Sequence, residues 1–329
     1  MFDFSDKNVL VLGGMGFIGS NLAHRLVRLG ARVTLVDSML TKYGGNLENI
    51  ESIRADVKMN FSDIRDKHSL KYLVRDQDVI YSVAGQTSHI ESMTDPYTDL
   101  EINCASQLSI LECCRQENPS VRLVYASTRQ IYGKPQYLPV DENHPVVPVD
   151  VNGINKLAAE MYYALYTKVY GMKCVSLRLT NTYGPRQHLS GDTQGFCGIF
   201  LRRAMSGEKI RIFGNGEQLR DFNYVDDVVE AFLLATRIDD LNYGVYNLGA
   251  SERYSLLEFT RLLHRLCPFE WELVPFPAGH KVIDIGDYYA DYTRFEKETG
   301  WAPKTSLEEG LERTVSYFTP RKHKYWSVS

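Results

Sequence analysis

Apolar residues in the first half of the chain fall into short runs separated by stretches with helical spacing. Asn8–Leu12 (NVLVL) is a β-rich run that ends on glycines. Ile18–Leu29 then places its apolar residues near helical intervals until Gly30 stops it. Arg32–Val36, Val79–Val83 and Arg122–Tyr125 read as further strands, with a helix over Leu108–Arg115 before the last. Alternation of this kind predicts an α/β fold, a doubly wound parallel sheet with helices on both faces.

Further along, Pro135–Pro148 is rich in Pro, Asp and Asn and is expected to be a loop. A helical pattern resumes over Asn155–Tyr170, and Cys174–Leu179 is another strand. After Asn181 the pattern loosens, and Tyr183–Gly198 carries four glycines with little periodicity. Leu256–Leu266 and Ser306–Phe318 read as amphipathic helices. The expected division puts residues 1–180 and about 217–250 in the sheet domain. Residues 181–216 and 251–329 would form a smaller C-terminal substrate-binding region over the sheet's carboxyl edge, where such folds bind ligands.

Composition narrows the partners. The 329 residues are 44% hydrophobic and 24% charged with a net charge of −4, and no Lys/Arg block stands out. Neither nucleic acid nor a membrane is therefore expected as the main partner. The start, MFDFSDKNVLVLGG, has no signal-peptide pattern, and no apolar run reaches the ~18 residues of a membrane span. Six cysteines without a C-x-x-C pair or neighbouring histidines argue against a metal site and for a reduced, cytoplasmic setting.

The clearest chemistry lies at the end of the first strand. Gly13, Gly16 and Gly19 sit at three-residue spacing in GGMGFIG, with Phe17 and Ile18 opening the helix. Such glycines permit a tight turn, close approach to a pyrophosphate, and close helix–strand packing. Asp37 ends the next strand eighteen residues beyond Gly19, where a carboxylate accepts hydrogen bonds from adenosine ribose hydroxyls. The pattern predicts a Rossmann-type dinucleotide site. A carboxylate at Asp37 would repel a 2′-phosphate, which favours NAD over NADP.

Together with Asp63-Ile64-Arg65-Asp66, Ala84-Gly85-Gln86, Tyr125-Ala126-Ser127-Thr128, Tyr132-Gly133, Lys156, Asn181, Tyr183-Gly184-Pro185-Arg186-Gln187 and Arg220-Asp221, this motif resembles the extended short-chain dehydrogenases. That group includes NAD-dependent nucleotide-sugar epimerases, 4,6-dehydratases and decarboxylases. The resemblance implies that Asp63 and Ile64 contact adenine and that Ala84, Gly85 and Gln86 line the path to the nicotinamide ribose. It implies that Lys156 holds that ribose, and that Ser127 and Thr128 face the nicotinamide and the reacting carbon. Asn181 would bind a phosphate or the sugar, and Arg220, with Arg211, would pair with the diphosphate. Arg186 and Gln187 are further substrate candidates. Ala84-Gly85-Gln86, Glu101-Ile102-Asn103, and Arg186-Gln187 leading to Asp192-Thr193-Gln194-Gly195, resemble the CDP-tyvelose 2-epimerase branch. Members of the group commonly dimerise through two helices, which would be Asp95–Arg115 and Asn155–Tyr170 here.

Two departures bear on the reaction. The group's proton-transfer residue is a tyrosine four positions before the lysine, and that position holds Asn152. An amide has no proton that titrates near neutral pH. Thr128 is the replacement best placed by homology, and His89, Cys104 and Tyr132 are candidates by residue type. His89, close after Ala84-Gly85-Gln86, would also reach substrate. Alternatively Asn152 orients a substrate oxygen, or the protein binds NAD without turnover as a regulatory protein. The second departure is Arg129-Gln130, where dehydratases and decarboxylases carry acids. That disfavours both lyases and leaves a nucleotide-sugar epimerase as the leading expectation. Arg129 would then hold an anionic group on the sugar.

Overall fold

The computed structural model describes residues 2–191, 195–239, 244–277 and 284–326. The five expected strands and two further ones, β3 and β10, assemble into one parallel sheet of seven, in the order β10-β6-β5-β4-β1-β2-β3. Its members are β1 (Asn8–Leu12), β2 (Arg32–Val36), β3 (Val57–Asn60), β4 (Val79–Ser82), β5 (Arg122–Thr128), β6 (Lys173–Leu179) and β10 (Val245–Asn247). The strand order reverses between β1 and β4, which opens a crevice at their carboxyl ends.

Strand periodicity explains the two layers around the sheet. In β1, Val9 and Val11 point to one face and Leu10 and Leu12 to the other. The first face is covered by α1 (Phe17–Arg28) through Leu22 and Leu26, and by α8 (Val225–Ala235) through Val228 and Phe232. The second is covered by α5 (Ser106–Glu117) through Ile110 and Leu111, and by α6 (Val151–Tyr170) through Ala159 and Tyr163. Fully buried strands on both faces are what a parallel sheet requires.

Past residue 180 the chain builds a second, aromatic-rich core. β9 (Leu219–Tyr224) lies between β11 (Arg253–Ser255) and β7 (Asn181–Tyr183), and β8 (Ile210–Phe213) pairs with β12 (Trp271–Val274). Phe200, Phe222 and Phe259 pack there, against α7 (Phe196–Ser206), α9 (Leu256–Leu266) and the helix Leu307–Phe318.

Several boundaries differ from the sequence reading for local reasons. The helix expected from Asn155 starts at Val151, because the Asp150 carboxylate caps it by accepting from Gly153 N–H. The helix expected at Leu108 starts at Ser106, after the short helices α3 (His89–Thr94) and α4 (Pro96–Leu100) and a π-turn over Glu101–Ala105. Strand β3 (VKMN) had no strong signal because it is an edge strand with no fully buried residue. The Asp192-Thr193-Gln194 part of the epimerase-like phrase lies outside the described residues. Among the described residues, no helix is long and apolar enough to cross a membrane.

Candidate active site

At the sheet's carboxyl edge a cleft of about 420 Å³ gathers the glycine turn, Asp37, Asp63, Ala84-Gly85-Gln86, Ser127-Thr128-Arg129 and Lys156. The turn needs its glycines. Gly13 has φ +83°, and a Cβ on it would lie 2.7 Å from the Ala84 backbone. A Cβ on Gly19 would lie 2.1 Å from the Gly13 carbonyl oxygen. Helix α1 has no side-chain cap at Gly16, so its first amides face the cleft free for an anion. Asp37 is positioned by its own backbone contacts: Oδ2 accepts from Met15 N–H and Oδ1 from Met39 N–H, both at 3.0 Å. Burial pushes its carboxyl pKa up, against those hydrogen bonds. Asp63 sits nearby in a pair with Arg65 at 2.7 Å, which holds its carboxyl below the usual range.

One wall of this end is a tie between distant segments. Tyr43 donates to Glu91 Oε1 on α3 at 3.0 Å, and Lys42 pairs with the same carboxylate. The adjacent Gly44, at φ +94°, packs on His188 of the loop that follows Gln187.

Deeper in, Lys156 is buried and donates to the Ala126 carbonyl at 3.1 Å. Burial lowers its pKa to about 8, opposed by the Asp99 carboxylate. Sequence reasoning missed Asp99. It is fully buried and accepts from Asn155 at 2.8 Å and from Asn103 and Asn152 at 3.0 Å. The signal available was its position one helical turn before Asn103. The second amide bond of Asn152 goes to the Gln86 carbonyl at 2.8 Å. The Asn152 NH2 is therefore spent on the protein's own oxygens. The Gln86 side chain is likewise closed on Ser88, through both its oxygen and its NH2.

Ser127 and Thr128 both line the cleft but differ. Ser127 donates backward to Glu160 Oε2 at 2.7 Å, whereas Thr128 Oγ1 accepts from Gln130 N–H at 3.2 Å and keeps its proton for the cleft. The Gln130 side chain donates to Asp150 Oδ2 at 2.9 Å. The same oxygen lies 3.0 Å from His89 Nδ1, at the mouth of the cleft. The ring nitrogen and that oxygen are close but not aligned as a hydrogen bond in this rotamer. Burial raises the Asp150 carboxyl pKa, but His89 and the Gly153 amide outweigh that and leave it lowered.

On the opposite wall Asn181 donates to the Asp221 carbonyl at 2.9 Å, and its Oδ1 meets Arg129 at 3.4 Å. The Arg129 guanidinium lies 5.0 Å over the Tyr288 ring, and its second terminal nitrogen is buried without a partner among the described residues. The Gln187 side-chain oxygen is also unpartnered at the cleft wall.

Five residues singled out in the sequence lie away from the cleft lining. Arg211 is exposed on β8 and pairs with Glu272 across to β12, because it sits at the outward position of an alternating strand. Arg186 takes φ +68° and turns away from the cleft, donating to Asn21 Oδ1 at 2.8 Å and the Asn49 carbonyl at 3.2 Å. It lines a second, larger hollow of about 1320 Å³ with His24, Trp301 and Arg313, which has no glycine turn. Tyr132 and Cys104 are not in the cleft: the Tyr132 hydroxyl is buried against Asn247 and Arg178, and the Cys104 thiol is buried with its pKa pushed up. Arg220 does not line the cleft directly either. It donates to the Leu219 and Gly286 carbonyls, and its pKa falls to about 10 through burial and the nearby Arg129 cation.

Residues 9–249 match the NAD dependent epimerase/dehydratase family. The chain belongs to that family. It is similar to a putative UDP-glucose 4-epimerase of Methanocaldococcus jannaschii, 35% identical over 94% of this chain and 97% of that protein. The UDP-glucose 4-epimerase structure of Thermotoga maritima with UDP-glucose superposes with a TM-score of 0.86 at 33% identity, covering 96% of this chain and 99% of that one. The UDP-glucuronic acid 4-epimerase of Bacillus cereus, solved with UDP-glucuronic acid and NAD, gives 0.83 at 25% identity over 95% and 99%. The protein is an enzyme of the epimerase/dehydratase kind, and its cofactor is NAD. The site fits that group: the Gly13 and Gly19 cradle has no room for Cβ atoms, the α1 amides are uncapped, and Asp37 stands at the end of β2.

Proposed function

We propose that the protein is an NAD-dependent epimerase of a nucleotide-activated sugar, working through transient oxidation with a proton-transfer residue other than the family's tyrosine. The observation that carries this reading is the Asn152 amide, tied to Asp99 and Gln86 where that tyrosine is expected, while Lys156 stays in the cleft beside Gly85. NAD, when bound, supplies the hydride acceptor and donor. The chain's own residues hold the nicotinamide ribose through Lys156 and the adenosine ribose through Asp37, and the substrate through Asn181, Gln187 and Arg129. The lyase alternative is weaker because Gln130 is an amide whose NH2 is spent on Asp150, so no acid stands there to expel water or CO2.

Incubation with UDP-, CDP-, GDP-, ADP- and dTDP-sugars should give a transient absorbance near 340 nm and an isomer of unchanged mass. A product lighter by water or CO2 would make it a lyase, and NAD binding without any transient would leave a regulatory protein.

Arg129 bears on the sugar. A guanidinium with a buried free nitrogen and a second cation nearby favours an anionic substituent, such as a carboxylate. Arg129→Met should raise KM for an acidic sugar nucleotide about 10-fold or more, with little change for a neutral one. Equal effects on both would refute the assignment.

We also propose a homodimer. Ile154, Met161, Leu165 and Val169 form an exposed apolar stripe along α6, opposite the buried Ala159 and Tyr163, and Tyr97 and Leu100 expose more apolar surface on α4. A self-complementary stripe beside a second apolar helix fits a second copy of the chain. Met161→Glu with Leu165→Glu should convert a species of twice the chain mass into a monomer by light scattering. A wild type that runs as a monomer removes the proposal.

A further inference from the structure

We propose that His89, held by Asp150, takes the proton of the substrate hydroxyl during oxidation and returns it during reduction, a role that rests on the epimerase reading above. The ring lines the cleft on α3 with its side chain 35% exposed, and Nδ1 is turned inward to the buried Asp150 carboxylate at 3.0 Å. A carboxylate at Nδ1 selects the Nδ1–H tautomer and leaves the lone pair on Nε2. Nε2 has no hydrogen-bond partner among the described residues and is the atom left to face a ligand. Asp150 is itself fixed by two groups, the Gln130 amide and the Gly153 N–H, so the ring abuts the same first turn of α6 that carries Asn152. The Gln86 carbonyl that takes the Asn152 amide lies three residues before His89. Imidazole and amide therefore border one corner of the cleft.

The other groups there offer no free base. Ser127 donates to Glu160, Thr128 accepts from a backbone amide, and Asn152 has no basic atom. His188, on the far wall, has its Nε2 on Ser190 and no carboxylate against it among the described residues, and burial lowers its pKa. The Cys197 thiol is buried with its pKa pushed up. Asp150 is the carboxylate against the His89 ring. The cations of the cleft, Lys156 and Arg129, are held elsewhere, on Ala126 and over Tyr288.

The step balances as follows. The substrate O–H bond breaks, its proton passes to His89 Nε2, and its electron pair becomes the second bond of a carbonyl. The neighbouring C–H bond breaks with its pair, which leaves as hydride to the oxidised nicotinamide that the family's chemistry supplies. The sugar is oxidised and the nicotinamide reduced, and the imidazolium keeps the proton beside Asp150 for the reverse transfer. Asp150 acts through His89 and is a positioning residue.

The test uses the NAD-loaded full chain with the sugar nucleotide that gives the transient near 340 nm. His89→Ala should lower kcat by about 100-fold or more while KM changes little. Added imidazole should restore the rate with saturation, which a merely structural histidine would not show. Asp150→Asn should lower kcat less than His89→Ala. A readout independent of turnover is the 15N shift pattern of the His89 ring, which should report the Nδ1–H tautomer in the wild type and lose it in Asp150→Asn. Undiminished turnover in His89→Ala, loss without imidazole rescue, or an Nε2–H tautomer in the wild type would each overturn the role while leaving the epimerase reading in place. A wild type that oxidises no sugar nucleotide overturns both.

Discussion

Replacing Arg178 with methionine should destabilise the protein by about 3–5 kcal/mol, the cost of breaking a buried ion pair from one side. Arg178 and Glu160 are both buried, and they meet through two bonds, at 2.6 and 3.0 Å. Glu160 also accepts from Ser127 and Arg178 donates to Tyr132, so the pair fastens α6 to the ends of β5 and β6 directly behind the cleft. Methionine would fill much of the space but leave the buried Glu160 carboxylate facing one hydroxyl. A double replacement, Arg178→Met with Glu160→Leu, removes both charges together and should recover most of the loss. Equilibrium urea denaturation of the two variants and the wild type decides the matter. A double variant as unstable as the single one would mean that shape rather than charge carries the effect.

Gly19→Ala should abolish co-purification of NAD and weaken its binding by about 100-fold or more, equivalent to ~3 kcal/mol. The added methyl would sit 2.1 Å from the Gly13 carbonyl oxygen and 2.9 Å from Gly14 Cα. Those are backbone atoms of the turn and cannot swing aside as a side chain would. Either α1 must tilt or the turn must open, and both move the amides that face the pyrophosphate. Gly16→Ala is the informative comparison, because its methyl would lie 3.4 Å from the same carbonyl and should cost far less. Calorimetric NAD titration of both proteins reads the difference, and similar affinities for the two would contradict the close-approach argument.

The cofactor half of the cleft was legible because it depends on local sequence. A β run, three spaced glycines, a helix and a following Asp37 form one continuous stretch, and each has a single structural meaning in that order. The sheet was legible for a related reason, since alternation and length separate its strands from its helices. The far wall was not. Arg186 and Arg211 were assigned from the resemblance, and a matching motif does not say which way a side chain leaves its backbone. The positive φ at Arg186 and the outward position on β8 decided that. Asp99, Glu160 and the Asp150 partner of His89 were invisible for a different reason. Each acts through residues distant in sequence, and a carboxylate on a helix reads as a solvated face until packing buries it.

The tie of Tyr43 to Glu91, with Gly44 against His188, has a consequence for metabolism. On the epimerase reading proposed above, a cofactor walled in by segments from three parts of the chain would be oxidised and reduced within a single residence. Each catalytic cycle of an epimerase then consumes no reductant. Its flux would then follow the two sugar-nucleotide pools alone, insulated from swings in the cellular ratio of NADH to NAD.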